Sequence, residues 1–332
     1  MFVWDRKDLN DAQVAAIEHP GSVFLVACPG SGKTRTLTYK IARLLSELKS
    51  DKKRVVAITY THRAADEIHE RIEQLGVDTS QLWVGTIHSF CLEWILKPYG
   101  IYHPALRNGF RVINAHDTER MHEELCSAAQ DSKINSFDCA YYFKPGGYVL
   151  TSNKTDKHEA IKGVLRAYWR TLRTERQIDF ELILFYAYQL IEKNPSISVL
   201  LGSIFDCVLV DEFQDTREIQ YAILASILKA SQGHASAFVV GDPNQAIYGS
   251  LGGYAISAAD FGTRCGIPFK EMELSDNYRS SSRIVSYLGN YNVFPTKIEA
   301  VGKNKNYASV VSFDQETHRD ALEDELVQLI KY

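Results

Sequence analysis

Val23-Phe-Leu-Val-Ala27 runs directly into Cys28-Pro-Gly-Ser-Gly-Lys-Thr34, and the helix-patterned Arg35-Thr-Leu-Thr-Tyr-Lys-Ile-Ala-Arg-Leu-Leu45 follows. A buried strand, a glycine turn and a helix start in that order make an anion cradle, because backbone N–H groups and the positive helix end converge on phosphate oxygens. Pro29, Gly30, Ser31 and Gly32 would line the cradle. Lys33 would supply a point charge to the β- and γ-phosphates, and Thr34 a hydroxyl to Mg²⁺. The first glycine of the pattern GxxxxGK[ST] is Ala27 here, so the plain motif is not met. A glycine turn that merely joins strand to helix is the plainer alternative.

A second element strengthens the nucleotide reading. Cys207-Val-Leu-Val-Asp211-Glu-Phe-Gln-Asp-Thr216 is a buried-strand pattern ending in adjacent carboxylates, where α/β sheets present ligand groups. Asp211 would hold Mg²⁺ directly or through water, and Glu212 would orient and deprotonate an attacking water. The plainer alternative is an acid-decorated helix start. In Val239-Val-Gly-Asp-Pro-Asn-Gln245 a strand again meets a polar turn, and Gln245 is a candidate to sense the γ-phosphate, although Gly-Asp-Pro-Asn is also an ordinary turn.

Around these stretches lie further β-branched runs, Val55–Thr59 and Val84–Thr86, and the set Val23–Ala27, Val55–Thr59, Val84–Thr86, Cys207–Asp211 and Ala237–Gly241 alternates with helical patterns. That predicts an α/β protein with a parallel sheet covered on both faces. Strand-like runs thin out over 91–176, which reads as an inserted, mainly helical subdomain splitting a first core at 1–90 and 177–265. After Gly266 a strand-like Glu271–Leu274 and a helix near Ser281–Tyr291 suggest a second lobe over 266–332. The chain has 332 residues, 41 acidic against 37 basic, for a net charge of −4, which excludes a uniformly basic coat but not a local basic groove. Six scattered cysteines form neither a zinc pattern nor a disulfide frame. No apolar run approaches the ~20 residues of a membrane span, and the N-terminus carries acids where a signal peptide needs an apolar stretch. The expected location is the reducing cytoplasm.

In order along the chain stand Leu9-Asn10…Gln13, Ala27–Thr34, Thr59-Tyr-Thr-His-Arg-Ala-Ala65, Gly85-Thr-Ile-His-Ser-Phe90, Asp179-Phe180, Asp211–Thr216, Gly241–Gly253 and Asn277-Tyr-Arg-Ser280. This ordered set resembles the UvrD/Rep/PcrA-type superfamily 1 DNA helicases. The resemblance implies a RecA-like P-loop NTPase core with the start of a second such lobe, and ATP and Mg²⁺ as ligands. It further implies hydrolysis-driven movement along single-stranded DNA with 3′→5′ polarity. Carried over residue by residue, it makes Gln13 the reader of adenine, with Arg35 and Tyr278 sandwiching the ring. Arg279 becomes an arginine finger that joins Lys33, Glu212 and Gln245 in catalysis. Tyr60 and Tyr248 become stacking rings for bases, while Thr86 and His88 contact the strand. His88 reads equally as a core histidine. Ser250 and Leu251 stand where the family has an aromatic and an arginine, which predicts a weakened or redistributed grip.

The segment from Lys144 to Gln177 carries eight Lys/Arg against three acids. Within it Ile161, Val164, Leu165, Tyr168, Trp169 and Leu172 follow helical spacing, and Lys162, Arg166, Arg170 and Arg173 form a stripe on another face. Arg166 and Arg170 are candidate phosphate contacts, with a solvated helix face as the alternative. The family carries further motifs beyond the fourth, whereas this chain stops soon after a helical pattern at Leu322–Ile330. A protein partner such as a nuclease, or a missing C-terminal half, is therefore expected to complete the motor. The rival reading is a nucleotide- and DNA-sensing regulatory subunit of a nuclease complex in anti-phage defence. A small-molecule P-loop kinase would not need the blocks holding Gln13, His88 and Tyr278.

Overall fold

The apolar runs become one six-stranded, all-parallel sheet in a computed structural model, which describes residues 8–129 and 133–308 together with 321 and 327. Its strands are β1 (Val23–Ala27), β2 (Arg54–Thr59), β3 (Leu82–Thr86), β4 (Phe205–Val210), β5 (Ser236–Gly241) and β6 (Lys270–Leu274), in spatial order β6-β1-β5-β4-β2-β3. Parallel strands end at a common edge. The segments after β1, β2, β3, β4, β5 and β6 therefore all emerge there, which gathers the candidate residues of six separate stretches.

Strand alternation sends Val23, Leu25 and Ala27 to one face and Phe24 to the other. The first face is covered by α2 (Lys33–Glu47) and α3 (His62–Gln74) through Leu37, Ile41, Ile68 and Ile72, with Ala16 of α1 (Asp11–Glu18) in the same cluster. The second is covered by Phe90, Phe213 and the helices Phe180–Lys193, Pro195–Ile204 and Glu218–Ala230. Each fully buried Val, Leu, Ile or Phe contributes about 1.5–3 kcal/mol. Both faces must be closed for strands as apolar as β4 and β5 to be stable.

The insertion departs from a plain helical subdomain. It contains helices Ala115–Ala128 and His158–Thr174, but also an antiparallel hairpin, Tyr141–Lys144 against Gly147–Leu150, and a parallel pair, Arg111–Val112 with Gln177–Ile178. The hairpin forms because aromatic and β-branched residues flank Pro145-Gly146-Gly147, with Gly147 at φ +145°. On His158–Thr174 the apolar side is buried as spaced, with Trp169 half-buried, while Arg166, Arg170 and Arg173 are exposed.

The boundary expected at residue 266 needs correction. Lys270–Leu274 pairs with β1 in parallel register from Val23↔Lys270 to Ala27↔Leu274, so it is the edge strand of the first sheet. Its alternating charges suit an edge, where only one flank is paired. Beyond it, Asp276–Asn277 pairs with Glu299–Ala300, and the expected helix spans Ser282–Gly289. The pattern at Leu322–Ile330 lies, but for Val327, outside the described residues. All six cysteines are buried free thiols. Among the described residues no helix is long and apolar enough to cross a membrane.

Candidate functional site

The phosphate turn is built on backbone that only glycine adopts readily. Gly30 has φ +71° and Gly32 φ +81°, and both are also crowded: a Cβ would lie 2.8 Å from Arg279 Cβ at Gly30 and 2.8 Å from Gln13 Nε2 at Gly32. α2 begins at Lys33 with no side chain capping it, so its first N–H groups stay open to an anion. The buried Gln13 braces the turn from below. Its Nε2 donates to Ser31 O at 2.8 Å and its Oε1 accepts from Asn10 N at 3.0 Å. Reading adenine would require exchange of one of these bonds, or use of the second amide hydrogen.

Two strands away, the acids meet the lysine. Lys33 Nζ lies 3.2 Å from Glu212 Oε2, and Gln214 Nε2 donates to the same oxygen at 2.9 Å. Glu212 has a left-handed backbone, φ +51° and ψ 52°, a conformation that costs a non-glycine residue of order 1–2 kcal/mol. The strained position turns its carboxylate to Lys33 rather than along the strand. Asp211, packed in at the strand end, has its pKa pushed up to about 7 by desolvation and then by Glu212, with Lys33 opposing. A carboxylate so poorly compensated suits a cation beside it. Thr34 stands next to Lys33 in the first turn of α2 and brings a hydroxyl to that end of the helix. Among the described residues no cluster of three or more His, Cys, Asp or Glu could hold a metal unaided. Two protein oxygens fit an ion such as Mg²⁺, which keeps waters and binds phosphate oxygens.

Gln214 also ties this pair to the next loop, since its Oε1 accepts from Asp242 N at 2.9 Å. Gly241 permits that approach, as a Cβ there would stand 2.4 Å from Gln214 Oε1. Gln245 is held by its own Nε2 donating to Asp242 Oδ2 at 2.8 Å. It therefore sits one residue pair removed from Glu212, and to meet a phosphate its amide must leave Asp242 or use its second hydrogen.

The segment after β6 closes the mouth. Asn277, 2% exposed, donates from Nδ2 to Pro29 O at 2.6 Å and accepts from Arg279 N and Ser280 N at 2.9 and 2.7 Å. Tyr278 N donates to Gly30 O at 2.9 Å. The exposed Tyr278 ring is steadied by its hydroxyl, which accepts from Asn10 Nδ2 at 3.0 Å, and Arg35 is near enough for its charge to act on that hydroxyl. Arg279 is exposed beside the turn.

The candidate strand residues line a neighbouring cavity of about 230 Å³ whose wall runs from Asp211 through Thr86 and His88 to Tyr60 and Tyr248. The two tyrosines stack on one another, centroids 5.0 Å apart at 23°. A third ring could join this stack only by intercalating or by covering the pair. Thr86 is buried and its hydroxyl caps the helix Ile87–Phe90, accepting from Ser89 N at 3.3 Å. His88 has its pKa lowered to about 4 by burial, then by Arg217 and His62, so it is a neutral hydrogen-bonding group that meets Phe180 edge-on. Ser250 and Leu251 lie in an exposed turn, Gly249–Leu251. Arg166 and Arg170 belong to the insertion and line neither the phosphate turn nor this cavity.

Asn277, Gln214 and Asn10 carry bonds that no sequence-derived role assigned to them. Their position inside recognisable blocks was the available signal.

These features define a P-loop helicase core, and comparison with known proteins names the family. The family described as UvrD/REP helicase N-terminal domain matches residues 9–255, and the chain belongs to it. The chain is 32% identical over 328 residues to a probable DNA helicase II homolog of Mycoplasma capricolum, covering 91% of this chain and 44% of that protein. It is 32% identical over 289 residues to DNA helicase II of Escherichia coli, covering 84% and 39%. With the ATP-dependent DNA helicase SRS2 of Saccharomyces cerevisiae it shares 28% over 319 residues, covering 84% and 26%. The chain thus spans less than half the length of these curated relatives.

Proposed function

We propose that the chain is the ATP-binding portion of an ATP-dependent DNA helicase or translocase that moves along single-stranded DNA, 3′→5′ by family resemblance. The observation carrying this reading is Lys33 Nζ at 3.2 Å from Glu212 Oε2, which joins the phosphate turn after β1 to the acids after β4. Lys33 would transfer its ion pair from Glu212 to the γ-phosphate as nucleotide enters, which frees the Glu212 carboxylate to orient and deprotonate a water. Thr34 and Asp211 would hold Mg²⁺, which supplies charge neutralisation to the β- and γ-oxygens. Arg35 and Tyr278 would flank the base, and Gln13 would support the turn. Arg279 would add positive charge at the γ-phosphate from the segment beyond the first sheet.

The cavity shared by Asp211, Tyr60, His88 and Tyr248 supports coupling between hydrolysis and the strand, because one wall carries both chemistries. ATP turnover of the full chain, with and without single-stranded DNA, tests this. DNA is expected to raise the rate. A rate indifferent to DNA sinks the motor and favours the sensing subunit of a partner complex. Cytoplasmic action belongs to the same proposal.

The exposed stripe gives a separate expectation. Arg166→Glu with Arg170→Glu is expected to weaken strand binding and to flatten the dependence of log affinity on log salt by about 0.7 per lost phosphate contact. An unchanged slope in salt titrations makes the stripe a solvated helix face.

A further inference from the structure

The hairpin of the insertion has two faces, and one is used against the loop after β5. Tyr142 turns that way: a Cβ on Gly252 would stand 2.8 Å from its ring, and the Arg217 guanidinium lies 5.8 Å from the ring centroid. Phe143 points to the opposite face, as strand alternation requires, and stacks on Phe185 at 4.0 Å with 9° between the planes. On that side Tyr148 meets Trp169 edge-on at 4.9 Å. These rings wall a cleft of about 480 Å³ between the hairpin and the helices His158–Thr174 and Phe180–Lys193. Tyr148, Trp169 and Phe185 are each half-buried, so they keep ring surface exposed to it.

The rim of the cleft is cationic. Arg173 and Lys193, both exposed, line it, and no Asp or Glu does, in a chain whose net charge is −4. Among the described residues neither cation forms an ion pair. His103 on the same wall adds no opposing charge, with its Nε2 2.9 Å from Gln189 Oε1. Arg166, Arg170 and Arg173 share one helix face at spacings of four and three, so a positive track leads to this rim. Aromatic walls select a planar apolar group, and flanking cations without carboxylates select an anion attached to it. The volume suits one nucleotide unit and is too small for a duplex.

We propose that this cleft is a second single-strand site, distinct from the Tyr60–Tyr248 groove, where one base stacks against Tyr148 and Trp169 and its phosphate is held by Arg173 and Lys193. The proposal rests on the single-stranded DNA reading above. An acidic protein segment would use the same cations but leave the aromatic walls unfilled.

Oligothymidylate carrying 5-iododeoxyuridine, photocrosslinked to the full chain, tests it. Crosslinks are expected at Tyr148 or Trp169 as well as in the groove. Arg173→Glu with Lys193→Glu is expected to weaken oligothymidylate binding roughly tenfold and to reduce the salt slope by about 0.7 for each lost contact. Tyr148→Leu should weaken binding with no change of slope, whereas Tyr148→Phe should keep wild-type affinity. Melting curves verify the fold of each variant, and Arg173→Gln with Lys193→Gln provides a milder second pair. Unchanged affinity and slope, with crosslinks confined to the groove, overturn the proposal and leave the groove reading standing. The proposal is also overturned if a polyglutamate peptide, and not oligothymidylate, loses affinity in the charge variants. A wild-type chain that binds no oligothymidylate overturns both readings.

Discussion

Glu212→Gln is expected to yield a folded chain that binds ATP and turns it over about 10²- to 10⁴-fold more slowly, the span of a lost general base. Gln keeps the volume and one carbonyl oxygen, so the contacts from Lys33 Nζ and Gln214 Nε2 retain an acceptor. The left-handed backbone at φ +51° is equally strained with either residue, which removes folding as the source of the loss. Affinity for ATP should hold or improve, because a carboxylate that repels the triphosphate has gone while Lys33 remains. Single-turnover hydrolysis beside equilibrium binding of a fluorescent ATP analogue separates the two effects. Turnover within a few-fold of wild type would reduce Glu212 to a structural partner of Lys33, and the base would have to be sought elsewhere.

How much of this was legible follows from how local each feature is. The turn from Cys28 to Thr34 could be read because its chemistry is confined to consecutive residues, and Gly30 and Gly32 hold positive φ values, as a tight glycine turn requires. β4 and β5 were legible because strands buried on both faces carry continuous apolar runs, here Cys207–Val210 and Ala237–Val240. Glu271–Leu274 reads as part of a second lobe because its charged, alternating residues carry no signal of the partner strand; only the pairing with β1 settles that. The hairpin was missed for a related reason: Tyr141 to Leu150 mixes aromatics with a Pro-Gly-Gly tip, and its stability comes from Phe185 and Trp169 far along the chain.

Side-chain bonds across the sheet edge were the least legible. Sequence motifs placed Gln13 and Gln245 near nucleotide but gave no sign that each amide is already engaged, one with Ser31 O and the other with Asp242 Oδ2. The stacked pair of Tyr60 and Tyr248 joins segments almost 190 residues apart in sequence, and family resemblance, not spacing, brought them into view. Polar contacts of this kind depend on two loops meeting, which is a property of the strand order.

Asn277→Ala is the second change expected to act strongly, through three hydrogen bonds made by one buried amide. Removing it leaves Pro29 O, Arg279 N and Ser280 N without partners. Each buried group left unpaired costs about 1–3 kcal/mol, so the variant should lose at least about 3 kcal/mol where water cannot enter. On the proposed role of Arg279 the loss is also functional, because the same bonds hold Arg279 against Gly30, and a displacement near 1 Å can cost about 10²-fold in rate. Asn277→Asp separates the parts of the effect. Its carboxylate still accepts from Arg279 N and Ser280 N but can no longer donate to Pro29 O, so Arg279 stays positioned while the phosphate turn is released. Thermal melting should therefore rank wild type above Asp and Asp above Ala, with turnover following the same order and the KM for ATP rising more in Asp than its kcat falls. Equal melting points for wild type and Ala would mean that water replaces the amide. A lowered melting point with wild-type turnover per folded molecule would make Asn277 a clamp on the fold alone, and Arg279 would then need another explanation for its place beside the turn.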